Sequence, residues 1–335
     1  MPTTTIKDVA RVAGVSIATV SYVINNGPRP VSVETRKLVL AAMEQLGFEP
    51  NVSARRLRRQ HNNVLGLAVA GLSGRPGIAD LYFLDILRGI SVAADRIGYD
   101  LIVYSNHHKL QTEDFFRSLA RKRIVDGLIA SGGAVNPQGL ELLPGVGLPV
   151  VAVGRLQPVQ NVCRIEFSYY DDAFRITQAL LERGHRRIGL LLNSLIFPSE
   201  QRRLAGYRQA LTEAGLPQDE ALIYIPQEIE HYPPKTAVAQ LVQQGNAEVI
   251  ITAPYSEVCS YLARLGPNYS HIEIATLDYD DSVALPASLH LGMILAKYQA
   301  GEMAVDMLLQ SVLGEKDQPE VTVLPSRLEE FGVQA

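Results

Sequence analysis

The sequence predicts an α/β protein: a small all-α amino-terminal unit joined to a two-lobed body built on parallel sheets. Three observations carry this expectation. The chain has 335 residues, about twice the ~150 residues of a common domain, so two domains with room for a small third are expected. Its charge is divided: 31 Lys+Arg against 35 Asp+Glu give a formal -4, yet residues 1–62 hold nine Lys/Arg against four acids, a local +5 that leaves -9 on the remainder. From residue 64 onward, short apolar runs alternate with helical segments, the pattern of βα units and parallel sheets. A content of 47% hydrophobic and 20% charged residues supplies a core and excludes wholesale disorder.

Thr5 ahead of IKDVARVAG, with Asp8 three positions on, is a capping-box-like start, and Ile6, Val9, Ala10 and Ala13 fall at helical spacing. Gly14 ends this helix and Ser16 caps the next, over residues 18–24, which carries Val20, Val23 and Ile24 on one face. The short turn AGVS between them is that of a helix-turn-helix. After a turn at residues 27–30, Ser32 caps a third amphipathic helix, 33–46, which stops at Gly47. The exposed face of the second helix holds Ile17, Ala18, Ser21, Tyr22 and Asn25, suited to base edges, while Ser16, Thr19 and Asn25 reach phosphates together with helix N-terminal amides. Periodicity alone also allows an ordinary helical hairpin with a solvated face.

The run IKDVARVAGVSIATVSYVINNGPRPVSVETRKLVLAAMEQLGFEPNVSARRL resembles the DNA-binding headpiece of the lactose/galactose repressor family almost position by position through residues 5–58. The resemblance implies a helix-turn-helix headpiece over 1–50 and a hinge helix and linker over 51–62. Ile17, Ala18 and Tyr22 would lie in the major groove, and Thr5 and Arg29 would join the DNA-contacting set. Asn51, Ala54, Arg55, Leu57 and Arg58 would belong to a hinge helix that folds when two subunits meet on the operator. In that picture Ala54 and Leu57 enter the minor groove, Leu57 wedges between central base pairs, and Arg55, Arg56, Arg58 and Arg59 neutralise phosphates. The other reading of the arginines is a solvated linker run. Tyr22 departs from the family, which most often has Arg there; losing a bidentate grip on guanine shifts the preferred half-site by roughly 1 to 3 kcal/mol at that base pair.

The body reads as strands at 64–72, 99–105, 125–131 and 149–153, interleaved with helices at 84–97 and 112–122. The pattern repeats with helices at 172–183, 201–214, 235–244 and 257–265 and strands at 186–193, 221–226, 247–253 and 272–278. Two such sheets, with ligand between them at the carboxyl ends of the strands, form a clamp like that of sugar-binding proteins. The family resemblance, looser here than in the headpiece, implies a periplasmic-binding-protein-like regulatory body. Its first lobe would be 63–161 plus 291–318 and its second 162–290 plus 319–335, with a helix at 297–313 returning to the first lobe and a last strand at 321–324 in the second.

The same resemblance supplies the effector candidates. Tyr82 and Phe83 sit where the family places a wall, although two adjacent aromatics also read as core. Arg203, in the run RLAGY, matches an Arg that reaches a ligand hydroxyl or carboxylate, with a surface salt bridge as the other reading. Asp278 ends IEIATLD where the family has a hydrogen-bond-accepting Asp, and Ser131, Phe167, Ser199 and Tyr232 are further candidates. There are departures: Pro254-Tyr255 replaces the family's Asn-Asp pair, Arg155 follows Gly154 where Asp is common, and SLHLGMIL lacks the usual threonines and glutamine. The expected effector is a sugar, a sugar phosphate or another small metabolite. Two Arg candidates and fewer neutral hydrogen-bonding groups admit an anionic or aromatic ligand, and a degenerate pocket that signals through a protein partner stays open.

Other features narrow the class. The start MPTTTIKDVARV lacks a basic region followed by an apolar one, so no secretory signal is expected. The apolar stretch 64–72 is under half the ~20 residues of a membrane helix. A cytoplasmic protein without membrane contact is expected, and Cys163 and Cys259 read as packing residues. No P-loop, metal-binding HExxH helix or GxSxG elbow occurs, so neither catalysis nor a cofactor nor a metal is expected. His107-His108 reads as a surface loop rather than a metal pair, because adjacent side chains of an extended segment point apart. The tail after Leu324 is too short for a tetramerising heptad helix, so a homodimer on operator DNA is favoured. The competing class is a carbohydrate-handling enzyme or binding protein with an incidental helical amino terminus.

Overall fold

The protein is described by a computed structural model, which covers residues 5–25, 31–46, 62–69, 78–132, 135–154, 157, 159–226, 234–252, 269, 271–279, 289–315 and 318–331. The chain divides into two compact units, Met1–Asn62 and Asn63–Ala335.

In the first unit, α1 (Ile6–Ala13), α2 (Ile17–Asn25) and α3 (Val33–Gln45) enclose a small core of Val9, Val20, Val23, Val39 and three alanines, Ala10, Ala13 and Ala42. Local chemistry sets each end. The Thr5 backbone N–H donates to Asp8 Oδ2 at 3.0 Å and its hydroxyl to the same oxygen at 2.6 Å. Those bonds hold the Asp8 carboxyl below its ordinary pKa. Gly14 closes α1 at φ 66°, a left-handed position that costs glycine nothing. Ser16 and Ser32 hydroxyls accept from the backbone N–H groups of Thr19 (3.0 Å) and Thr35 (3.2 Å), capping α2 and α3.

The second unit contains two sheets. The strands are β1 (Val64–Val69), β2 (Asp100–Tyr104), β3 (Gly127–Ser131), β4 (Val150–Val153), β5 (Cys163–Phe167), β6 (Ile188–Leu191), β7 (Ile223–Tyr224), β8 (Val249–Thr252), β9 (Glu273–Thr276), β10 (Leu289–Ile294), β11 (Val321–Leu324) and β12 (Arg327–Glu330). The first sheet has the order β11-β5-β4-β3-β1-β2 and is parallel throughout. The second has the order β12-β10-β9-β8-β6-β7, parallel except for the antiparallel edge pair β10/β12. The long helices are α4 (Ile78–Arg96), α5 (Glu113–Lys122), α6 (Tyr169–Glu182), α7 (Pro198–Glu213) and α8 (Lys297–Val312). Strands β1, β3, β4, β6 and β8 are buried along their whole length, as parallel strands covered on both faces must be.

The most extensive helix packing in each lobe is α4 with α8 and α6 with α7. Both crossings are made at glycine. A Cβ on Gly301 would stand 2.2 Å from the Ile86 carbonyl oxygen, and one on Gly206 would stand 2.1 Å from that of Tyr170. These backbones touch, and no side chain fits between them.

Two boundaries from the sequence are corrected. Residues 163–167, placed in the second lobe and not read as a strand, form β5 beside β4 in the first sheet, and the last strand, 321–324, pairs with β5 rather than joining the second lobe. The return to the first lobe comes after Ile294, because residues 291–294 belong to β10 of the second sheet. The tail then crosses again, as β12 closes the second sheet. Strand partners 157 residues apart, such as Val321 and Arg164, leave no trace in local periodicity, which is why the assignment of 321–324 failed. The helix expected at 235–244 is an α-helix over Pro234–Val238 followed by a π-helical stretch over Ala239–Gln244. The helix expected at 257–265 and the hinge helix lie outside the described residues.

Candidate functional site

The headpiece offers one candidate surface. Val20 and Val23 bury the inner face of α2, which leaves Ile17 (46% exposed) and Ala18 outward, with Ser21 and Tyr22 half-buried beside them. Ser16 and Thr19 hydroxyls share a 2.8 Å hydrogen bond. A hydroxyl donates once and accepts twice, so whichever of the two accepts this bond keeps its O–H to donate to a phosphate oxygen. Thr5 is exposed at the head of α1, and Asn25 is the last residue of α2. Arg29, Asn51, Ala54, Arg55, Leu57 and Arg58 lie outside the described residues.

The body has a cavity between its lobes, about 520 Å³ including its open mouth, where β4 and β5 of the first lobe face the start of α7 in the second. Its wall includes Gly154, Arg164, Glu166, Tyr169, Ser199 and Arg202. Two bonds cross the cleft. Arg202 Nη1 donates to Glu166 Oε2 at 2.5 Å, with Arg164 Nε 3.7 Å from the other oxygen of that carboxylate, and Gln157 Nε2 donates to the Ile196 carbonyl at 3.2 Å.

Of the effector residues expected from sequence, Ser199 lines this cavity. Its hydroxyl is buried and has no hydrogen-bond partner among the described residues. The other described candidates are not part of its lining. Tyr82 and Phe167 meet edge to face at 6.4 Å, and Phe167 and Tyr169 at 6.0 Å. The Tyr82 hydroxyl lies against Gly154, where a Cβ would come within 2.1 Å of it. Phe83 is core, and Ser131 Oγ donates to the Val153 carbonyl at 3.0 Å. Tyr232, Arg155 and Pro254-Tyr255 lie outside the described residues.

Arg203 and Asp278 are engaged by the protein itself. Arg203, 1% exposed, donates to Glu200 Oε1 at 2.8 Å and to the Leu277 carbonyl at 3.3 Å, with its guanidinium carbon 5.1 Å from the centre of the Tyr169 ring. The pair is buried, which corrects the surface salt bridge, one of the two readings the sequence allowed. Asp278 Oδ1 is 3.1 Å from Lys297 Nζ, and both side chains are buried. Lys297 opens α8 in the first lobe, so this pair also bridges the lobes. Nearby, the Ser326 hydroxyl donates to Asp172 Oδ2 at 2.7 Å, and the Arg175 guanidinium donates to the Ser326 carbonyl at 3.0 Å, pinning the crossover between β11 and β12. Burial pushes the Asp172 carboxyl up to about 6, against the opposing pull of Ser326, Arg203 and Arg175.

Sequence reasoning missed Lys297, Glu200, Glu166 and Arg202. The three-residue spacing of Glu200 and Arg203 on a helix was a usable signal. Lys297 and Asp278 are 19 residues apart with a strand between, and nothing local joins them. The two histidines 107–108 fall in a short helix, His107–Leu110. Among the described residues no helix is long and apolar enough to cross a membrane.

A helix-turn-helix unit and a two-lobed α/β body with an interlobe cleft define a regulator-like architecture. Residues 5–51 match the family described as bacterial regulatory proteins, lacI family, and residues 75–330 match the periplasmic binding proteins and sugar binding domain of the LacI family. The chain belongs to the LacI family. It is 33% identical over 214 residues to catabolite control protein A of Priestia megaterium, covering 64% of this chain and 62% of that one. The matched stretch thus spans under two thirds of that relative, whereas the match to the HTH-type transcriptional regulator GalR of Salmonella typhimurium, 28% identical, covers 95% of this chain and 92% of that one. The fold is that of the Lac repressor dimer solved with operator and the anti-inducer ONPF, at TM-score 0.81 and 23% identity over 100% of both chains.

Proposed function

We propose that this chain is a sequence-specific DNA-binding transcriptional regulator, acting as a repressor and not as an enzyme. It works in the cytoplasm as a homodimer on a near-palindromic operator, and a small-molecule effector held between the lobes sets its DNA affinity. The observation that carries the reading is the outward face of α2, Ile17 with Ala18 and Tyr22, on a helix-turn-helix that matches the family over residues 5–51. The local charge of +5 over residues 1–62 supports it, since phosphate neutralisation supplies most of the sequence-independent affinity. The cavity between the lobes is where two-sheet α/β clamps hold ligands.

An effector that binds the open and closed bodies unequally shifts the population of the two, and with it the DNA affinity. A gel shift with the gene's own upstream DNA tests the regulator reading. Specific binding by the wild type that disappears in Leu57→Ala, while the variant remains a folded dimer, supports it. Absence of binding across ~50 to 200 mM salt, the range in which phosphate contacts show, overturns it.

A further inference from the structure

Two buried carboxylates behind the cleft, Asp278 and Glu200, are each paired with one of the protein's own cations. Asp278 is bonded to Lys297 at 3.1 Å and Glu200 to Arg203 at 2.8 Å, and all four side chains are buried. What faces the cavity instead is positive. Its lining includes two arginines, Arg164 and Arg202, against one carboxylate, Glu166. The 16-residue helix α7 points its first turn at the same space through Pro198 and Ser199, and the amino end of a helix favours an anion. Glu200 in that first turn does not cancel this, because Arg203 neutralises it. Ser199 is 4% exposed and lines the cavity, and its buried hydroxyl has no partner among the described residues. A buried hydroxyl without a bond is costly unless something supplies one.

We propose that the cleft ligand carries an anionic group, a carboxylate or a phosphate, received by the amino terminus of α7, the Ser199 hydroxyl and the Arg202 and Arg164 guanidiniums, in the place Glu166 now takes on Arg202. The inference rests on the effector reading above and names the charge class of the effector. Arg202 comes from the second lobe and Glu166 from the first, so the incoming anion exchanges one link between the lobes for another that runs through the ligand. Arginine suits this role because its fork matches both carboxylate and phosphate.

The test is calorimetric titration of the full-length chain, at constant ionic strength set by chloride, with inorganic phosphate, glucose 6-phosphate, gluconate and citrate against glucose and cellobiose. The charged probes are expected to bind at least about tenfold more tightly than the neutral ones, the step expected from one charge-assisted contact. Phosphate and glucose 6-phosphate against gluconate and citrate distinguish the two anions. Glu166→Gln removes the resident competitor and tightens the charged probes about tenfold, while Arg202→Gln weakens them by a similar factor. Arg202 is half-exposed, so its variant keeps the wild-type unfolding midpoint. Glucose or cellobiose binding as tightly as the charged probes, or charged-probe affinity unmoved in both variants, overturns the anion class and leaves the effector reading standing. Silence of the whole panel overturns both.

Discussion

Arg203 shows how far a side chain's role depends on what lies three residues away. It is 1% exposed and bonded to Glu200, equally buried. Truncation to alanine leaves a carboxylate in the core without its cation. Arg203→Ala is therefore expected to lose about 3–5 kcal/mol in urea denaturation, whereas the paired exchange Arg203→Met with Glu200→Leu recovers most of it, because two apolar groups need no desolvation. A poor effector response in Arg203→Ala alone would thus report folding rather than ligand contact. Asp172 makes a second case. Its carboxyl titrates at about 6 against an ordinary 3.8, chiefly through burial. The folded state holds that proton more tightly than the unfolded chain, so stability is greatest below about pH 4 for this group and falls as pH rises to about 6. The deficit above that is about 3 kcal/mol. Thermal unfolding at about pH 5 and about pH 7.5 reads roughly half of it, about 1.4 kcal/mol, since the loss is already under way at pH 5. Asp172→Asn keeps an acceptor for Ser326, raises the midpoint at the higher pH and flattens this part of the dependence.

At the scale of elements, helix ends and helix crossings obey different rules. The caps of α1, α2 and α3 use residues within three positions of each other, and all were legible from Thr5, Ser16 and Ser32. The α4/α8 crossing is not local. Gly301 meets the Ile86 carbonyl and Gly89 the Tyr298 carbonyl, so Gly301→Ala forces the helices apart and is expected to cost about 1–3 kcal/mol, read as an earlier urea midpoint. For α2 the expected outcome concerns specificity. Exchanging Tyr22→Arg restores a bidentate grip on guanine and moves the preferred half-site by roughly 1–3 kcal/mol at one base pair, which selection of sites from random DNA checks. An unchanged selected half-site would refute the assignment of Tyr22 as a base reader.

At the scale of the whole molecule, the charge division bears on DNA. Nine Lys/Arg fall in the first 62 residues while the remainder carries -9. Operator affinity is accordingly expected to fall by about a thousandfold or more between ~50 and ~200 mM salt, as for proteins neutralising several phosphates. Fluorescence anisotropy with labelled operator measures the slope, and a flat response would count against phosphate contact. The body's lobes are tied by Arg202 to Glu166, Gln157 to the Ile196 carbonyl, and Lys297 to Asp278. Much of the βα alternation could be read in advance, because buried parallel strands such as VLGLAV and VVAV are unbroken apolar runs. Three strands escaped: the polar edge strand RLEE and the half-polar CRIEF, whose composition does not mark them as interior, and LHLGMI, an apolar run broken by His and Gly. Among the described residues expected to hold the effector, only Ser199 lines the cavity, since family position shows which strand end a residue occupies and not whom it bonds.

What the sequence determined by itself was therefore what short-range physics controls: three capped helices with a turn of known spacing, a basic amino-terminal segment, alternating strands and helices, and the family these features belong to. The tertiary structure decided which sheet β5 and β11 join, where the chain crosses between lobes, and that Lys297 and Glu200 occupy Asp278 and Arg203. Those outcomes depend on partners brought together from distant parts of the chain in an interior that tolerates no unpaired charge. They show a cleft, first read for a sugar, a sugar phosphate or another small metabolite, to have two arginines against one carboxylate in its wall.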